Sequence, residues 1–190
     1  MTVAAMDALP VPDGFVRLVA AARLNGEPDL VAAMLDDGQA PWGEGRHEPP
    51  EISNLRRYVV DLRLRIGGES AALTTFGKAA YLDLGWSRRT QTGWESEICW
   101  QASSAAPLFP VFSGWLTIGP DELRIDGFYA PPGGAMGLVA DRMLLHVAAN
   151  ATARWVLSEI GRAARHTVLV KLDGADETAS ANRVGVSTDG

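Results

Sequence analysis

The chain is poor in the residues that anchor metals and covalent cross-links. It has one cysteine, Cys99, and three histidines, His47, His146 and His166, in 190 residues. A single thiol forms no internal disulfide, which fits a reducing compartment. The histidines are scattered, with no HExxH, no cysteine pair and no carboxylate at ligand spacing beside them, so no metal and no cofactor is expected. There is no P-loop, no GxGxxG and no GxSxG, so no catalytic residue can be assigned by motif. No apolar run reaches the ~18–20 residues of a membrane span. Basic residues are in deficit, 17 Lys and Arg against 23 Asp and Glu, for a net charge of −6. That balance argues against a broad nucleic-acid footprint. The opening MTVAAMDALPVPDG lacks a basic segment and carries Asp7, Pro10 and Pro12. It does not read as a secretory signal, and the expected location is cytoplasmic.

What is present suffices for a core. Hydrophobic residues make up 47% and charged residues 21%, an ordinary globular balance. Residues 1–53 divide into a leader, a helical hairpin and a Gly/Pro-rich linker (38–53). Asp13 can cap a first helix, Asn25-Gly26 can stop it, Pro28 can open a second, and Asp37-Gly38 can close it. Two helices are therefore predicted within Asp13–Asp37. LVAAARLNGEPDLVAAMLDDGQAP also resembles one ankyrin repeat. A lone repeat cannot bury its own face, so the hairpin is expected to pack on the main domain, which spans 54–170. Residues 171–190 are polar and read as a disordered tail.

From Tyr58 to Tyr129 the pattern has a period of two. RRYVVDLRLRI puts Tyr58, Val60, Leu62, Leu64 and Ile66 on one face. KAAYLDLGW groups Ala80, Leu82, Leu84 and Trp86, and WESEICWQA groups Trp94, Ser96, Ile98 and Trp100. PVFSGWLTI groups Phe112, Leu116 and Ile118, while Trp115 has the other parity. ELRIDGFYA groups Leu123, Ile125 and Tyr129. LTTF, 73–76, can be a further short strand. Glu95 and Glu97 fall on the solvated face with Arg63 and Arg65, as a charge ladder. Cys99 shares that alternation and reads as an inert strand cysteine. An antiparallel sheet of five to seven strands is predicted.

After Pro131-Pro132-Gly133-Gly134 the pattern becomes helical, from about 135 to 165. Such a helix is ~45 Å long and can cross a whole sheet. Ala149, Ala153, Val156, Leu157, Ile160 and Ala164 share an apolar face, and Arg154, Ser158, Glu159, Arg162 and Arg165 the opposite one. The front half is apolar at the back as well, through Met143, Leu144, Val147 and Ala151, a surface the hairpin can cover.

Strands followed by a long terminal helix make an α+β layout. PLFPVFSGWLTI, LRIDGFYAPPGG and ADRMLLHVAANATARWVL together resemble the terminal part of the START-like, or polyketide-cyclase-like, helix-grip superfamily. LTTFGKAAYLDLG and YAPPGG are similar to uncharacterised bacterial members. The resemblance covers about residues 55–165. It implies a curved antiparallel sheet wrapped around the C-terminal helix, with a cavity between them used for lipids, hormones or polyketides. Typical members insert two short helices after the first strand. Here only Gly67 to Lys78 is available after the strand at Tyr58, too short for a normal pair, so either the fold is a trimmed variant or the N-terminal hairpin takes that place.

The resulting expectation is a protein that binds an apolar small molecule or lipid. The alternatives are a cyclase, dehydrase or hydrolase using the same cavity, and an interaction module using the hairpin. The oligomeric state is not legible. Arg142, His146 and Asn150, spaced i, i+4, i+8, form a polar stripe inside an apolar surround. They are the candidate polar end of a cavity lined by Trp86, Trp94, Trp100, Phe112 and Tyr129. The alternative partners for His146 are a backbone carbonyl, a strand carboxylate such as Asp126, or water.

Overall fold

The computed structural model describes residues 11, 13–38, 41–42, 47–48, 55–66, 74–103, 111–130 and 146–166. The strands are β1 (Val16–Arg23), β2 (His47–Glu48), β3 (Leu55–Ile66), β4 (Thr74–Gly85), β5 (Arg88–Arg89), β6 (Trp94–Ala102), β7 (Val111–Ile118) and β8 (Glu122–Ala130). Helix α1 is Pro28–Asp36, and α2 covers 146–166. All strand pairings are antiparallel. Seven strands follow the path β1-β8-β7-β6-β4-β3-β2, and the two-residue β5 pairs with β6 off that path. The fold is the expected α+β arrangement, a curved open antiparallel sheet with a C-terminal helix.

The alternation in the sequence matches the burial. Leu123, Ile125 and Tyr129 of β8, Phe112, Leu116 and Ile118 of β7, and Ile98 and Trp100 of β6 are all buried on one face. The LTTF stretch enters β4, which runs from Thr74. The predicted face of α2 is also found. Ala149, Ala153, Val156, Leu157, Ile160 and Ala164 join one core with the inner faces of the strands. The described part of the helix begins at 146, and 131–145 lie outside the described residues.

The helical hairpin is overturned. Its first half is β1, paired with β8 over eight positions from Val16↔Tyr129 to Arg23↔Glu122. VRLVAAAR is alanine-rich, which favours helix, but Leu18 and Ala20 are buried while Val19 and Ala21 face out. Without β1, β8 would leave its outer backbone groups unpaired. Pairing of that edge outweighs a propensity difference of a few tenths of a kcal/mol per residue. The interaction-module alternative loses its element, since Val16–Arg23 is part of the sheet.

The second half of the hairpin is helical as predicted. Pro28 occupies the first turn, and Val31, Ala32, Met34 and Leu35 are buried. Gly38, at φ 73°, ends the helix in the left-handed region that favours glycine. The Arg56 guanidinium closes the same end, donating from Nη1 to Leu35 O at 2.5 Å and to Asp36 O at 2.7 Å. A cation there complements the helix dipole. Thus β1, not the strand at Tyr58, is the first strand, and a helix does follow it.

The leader before Val11 and the tail 171–190 lie outside the described residues. No helix among the described residues is long and apolar enough to cross a membrane.

Candidate functional site

One row of the inner face crosses the sheet. Register places Val16 beside Tyr129, Tyr129 beside Phe112, Phe112 beside Trp100, Trp100 beside Leu82, and Leu82 beside Tyr58. Four of these six positions are aromatic. Phe112 and Trp100 are stacked, with ring centroids 3.8 Å apart and planes 12° from parallel. Two glycines make room for this. Gly114 and Gly127 face each other across β7 and β8, and a Cβ on either would meet the tip of the Phe112 ring at 2.7 Å. The ring therefore lies flat over their backbone instead of standing off the sheet.

The first turn of α2 reaches this row. His146 Nδ1 and Tyr129 Oη are 3.2 Å apart. Asn150 Nδ2 lies 2.9 Å from His146 Nε2 and donates to the His146 carbonyl at 2.9 Å. From there the helix runs over the sheet until Ala164 comes against Gly26, just after β1, where an added Cβ would be 3.4 Å from that of Ala164. Trp42 joins helix to sheet, with its ring 6.2 Å from those of both Tyr58 and Trp155.

The electrostatics of the row are those of a dry place. Burial pushes the Tyr129 hydroxyl above the ordinary tyrosine range. Burial does the same to Tyr58, against the opposing pull of the Arg56 charge. Trp100 is 2% exposed, and its indole Nε1 is buried with no acceptor among the described residues.

The predicted site residues separate into groups. Trp100, Phe112 and Tyr129 are adjacent in register, and His146 reaches Tyr129, but His146 is exposed and Asn150 half-buried, so the polar stripe expected inside an apolar surround lies at the solvent-facing edge of the helix. The His146 partner is that tyrosine and not Asp126, which lies on the outer face between Arg17 and Arg124. Trp94 sits at the opposite end of β6, six residues from Trp100 and so ~20 Å away along the strand. Its Nε1 donates to Asp29 Oδ1 at 2.7 Å. Trp86 is not core-facing as expected but 60% exposed. β4 ends at Gly85, and alternation does not extend past a strand end; Trp86 instead stacks over the Arg56 guanidinium at 4.2 Å. Arg142 lies outside the described residues. The expected cover on the back of α2 is corrected too, since Val147 is 44% exposed and the hairpin meant to cover it does not form.

Arg56 is a buried residue that alternation alone would have assigned to an apolar position. Its Nη2 also donates to Gly85 O at 3.0 Å, so it ties α1 to β4. The lone arginine in phase with Tyr58 and Val60 was the available signal. Cys99 faces outward beside Ser113, with Sγ 3.5 Å from Oγ. Burial pushes its thiol up, away from the reactive thiolate. Glu95 accepts from Arg88 at 3.0 Å, while the side chains of Arg63 and Arg65 lie outside the described residues. Among the described residues no group of three or more His, Cys, Asp or Glu is placed to hold a metal ion.

No protein-family model matches the chain, and no curated protein does. Among solved structures it is similar to the di-domain ARO/CYC BexL from the BE-7585A biosynthetic pathway, at 15% identity and a TM-score of 0.49. The match covers 80% of this chain and 51% of that one, so the chain spans about half the length of the protein it resembles.

Proposed function

We propose that the protein binds a small, mainly apolar molecule or lipid bearing a hydrogen-bond acceptor, between the inner sheet face and α2, at the row Tyr129–Phe112–Trp100. The observation that carries this is the Trp100 indole N–H, buried and without an acceptor among the described residues. Such a donor costs about 1–3 kcal/mol, and folding alone gives no reason to keep it where a phenylalanine would fit. A ligand oxygen supplies the missing acceptor, and the stacked Phe112–Trp100 pair offers apolar area around it. The helix-grip arrangement supports the same reading at the level of architecture only.

The test is a titration with decanoate, cholesterol and 9-fluorenone. The Trp100 indole resonance is assigned through Trp100→Phe in a two-dimensional 1H–15N spectrum. At least one probe is expected to move that proton downfield and to raise the melting temperature, because a ligand selective for the native state stabilises it by mass action. If saturating amounts of all three leave both unchanged, the reading fails.

A further inference from the structure

The three-residue chain at the start of α2 fixes the direction of its protons. An amide nitrogen only donates. Asn150 Nδ2 donates to the His146 carbonyl at 2.9 Å, which sets the amide orientation, since a flipped amide would turn an oxygen toward that carbonyl. The same nitrogen faces His146 Nε2 at 2.9 Å, so Nε2 must accept. In the neutral ring the proton is then on Nδ1, which faces Tyr129 Oη at 3.2 Å and donates to it. Tyr129 is left with its own O–H to give elsewhere; the residue is 2% exposed, and the hydrogen bond described for its hydroxyl is the one with His146.

We propose that Asn150 is a positioning residue that holds His146 in the Nδ1–H tautomer, turning Tyr129 into a second inward-facing donor beside Trp100 and making the site selective for carbonyl-bearing over hydrocarbon ligands. This rests on the binding reading above and deepens it. The two donors flank Phe112 on alternate strands, β8 and β6, and so stand ~10 Å apart. A ligand carbonyl at either end meets a donor that lost its water on folding. A hydrocarbon of the same shape leaves both unsatisfied, and that asymmetry generates discrimination. With the other tautomer, Tyr129 would spend its proton on His146 Nδ1, and only Trp100 would remain to recognise the ligand.

The experiment has a ligand-free arm and a ligand arm. At about pH 8.5, above the usual histidine range, long-range 1H–15N correlation reports which ring nitrogen of His146 carries the proton. The intact protein is expected to show a pyrrole-like Nδ1 and a pyridine-like Nε2. Asn150→Asp, whose carboxylate accepts from Nε2–H, is expected to reverse the two; Asn150→Ala is expected to leave a mixture. In the ligand arm 9-fluorenone is compared with fluorene, which has the same ring frame and no carbonyl. The intact protein is expected to prefer the ketone by about tenfold or more, and Asn150→Asp to reduce that to about threefold or less through weaker ketone binding, with fluorene affinity unchanged. A pyridine-like Nδ1 in the intact protein overturns the inference whatever binds. So does unchanged ketone preference in an Asn150→Asp protein whose tautomer has reversed. Failure of both compounds to bind, with the Nδ1–H tautomer confirmed, instead removes the binding reading and with it the selectivity claim.

Discussion

The two faces of the sheet hold their polar groups in different surroundings. On the outer face, charges are matched within the chain. Arg57 grips Asp83 through two hydrogen bonds of 2.7 and 2.8 Å, and Asp126 accepts from both Arg17 and Arg124. On the inner face, the core is dry, and one row keeps donors turned inward. Asp83 is buried and Asp126 half-buried, but each is matched by a guanidinium that still reaches water. A buried indole N–H has no such support. Arg56, buried on the inner face, is matched by backbone carbonyls, whereas the Trp100 indole N–H has no acceptor among the described residues.

The largest effect that would sharpen this contrast is expected for Leu116→Ala on the inner face. Leu116 is 0% exposed, and truncation should cost about 3 kcal/mol in chemical denaturation. Gly127→Ala should follow at about 2 kcal/mol, because the new Cβ would lie 2.4 Å from Ser113 O and 2.5 Å from Gly114 Cα. Backbone atoms cannot step aside as a side chain can. A cost below about 0.5 kcal/mol would mean that the two strands have slack at the glycine pair and that Phe112 is not held flat by it.

His146→Leu separates the two uses of the row. Because the Tyr129 O–H stays free for a ligand when the ring is removed, 9-fluorenone affinity should hold to within about threefold and stability to within about 1 kcal/mol, since a net hydrogen bond contributes about that much. A loss of about 2 kcal/mol with ligand affinity unchanged would make the Tyr129–His146 pair a structural tie.

The outer face should respond less, and to pH. Burial pushes the Asp126 carboxyl up, but hydrogen bonds from Arg17 and Arg124 outweigh it and hold the group below the usual carboxylate range. A depressed folded-state pKa gives stability that is present above the unfolded value, about 3.9, and lost as pH falls through the lower folded one. Asp126→Asn should therefore cost up to about 1 kcal/mol at pH 7, and the difference from the intact protein should shrink below about pH 4. A difference that grows on acidification would contradict the ion pairing. Val19→Ser, at a position 41% exposed on the same face, should change stability by less than about 0.5 kcal/mol.

Much of the fold was legible because its signals are local. A half-buried strand repeats every two residues, and β3, β6, β7 and β8 carry that repeat, broken at Arg56, Ser96, Gly114 and Gly127. The buried face of α2 repeats at helical spacing, and all six residues assigned to it are in the core. The site was legible only in part. Trp100, Phe112 and Tyr129 could be assigned to the inner face by parity, but not to one row, because parity gives the face and register gives the neighbour. Trp86 shows the limit from the other side, since its parity was right for a strand that had already ended.

The sequence by itself determined the class of fold, the inner faces of the long strands and the apolar face of the last helix, since periodicity is a property of a segment and its own geometry. Tertiary structure decided what Val16–Arg23 became, because an alanine-rich segment has the local means for a helix and only the unpaired edge of β8 gives it a reason to be a strand. It also decided the direction of the protons from Asn150 through His146 to Tyr129. Two of those residues are a helical turn apart and the third is on a distant strand, so no spacing along the chain encodes which nitrogen accepts. That is settled by which atoms packing brings within hydrogen-bonding distance.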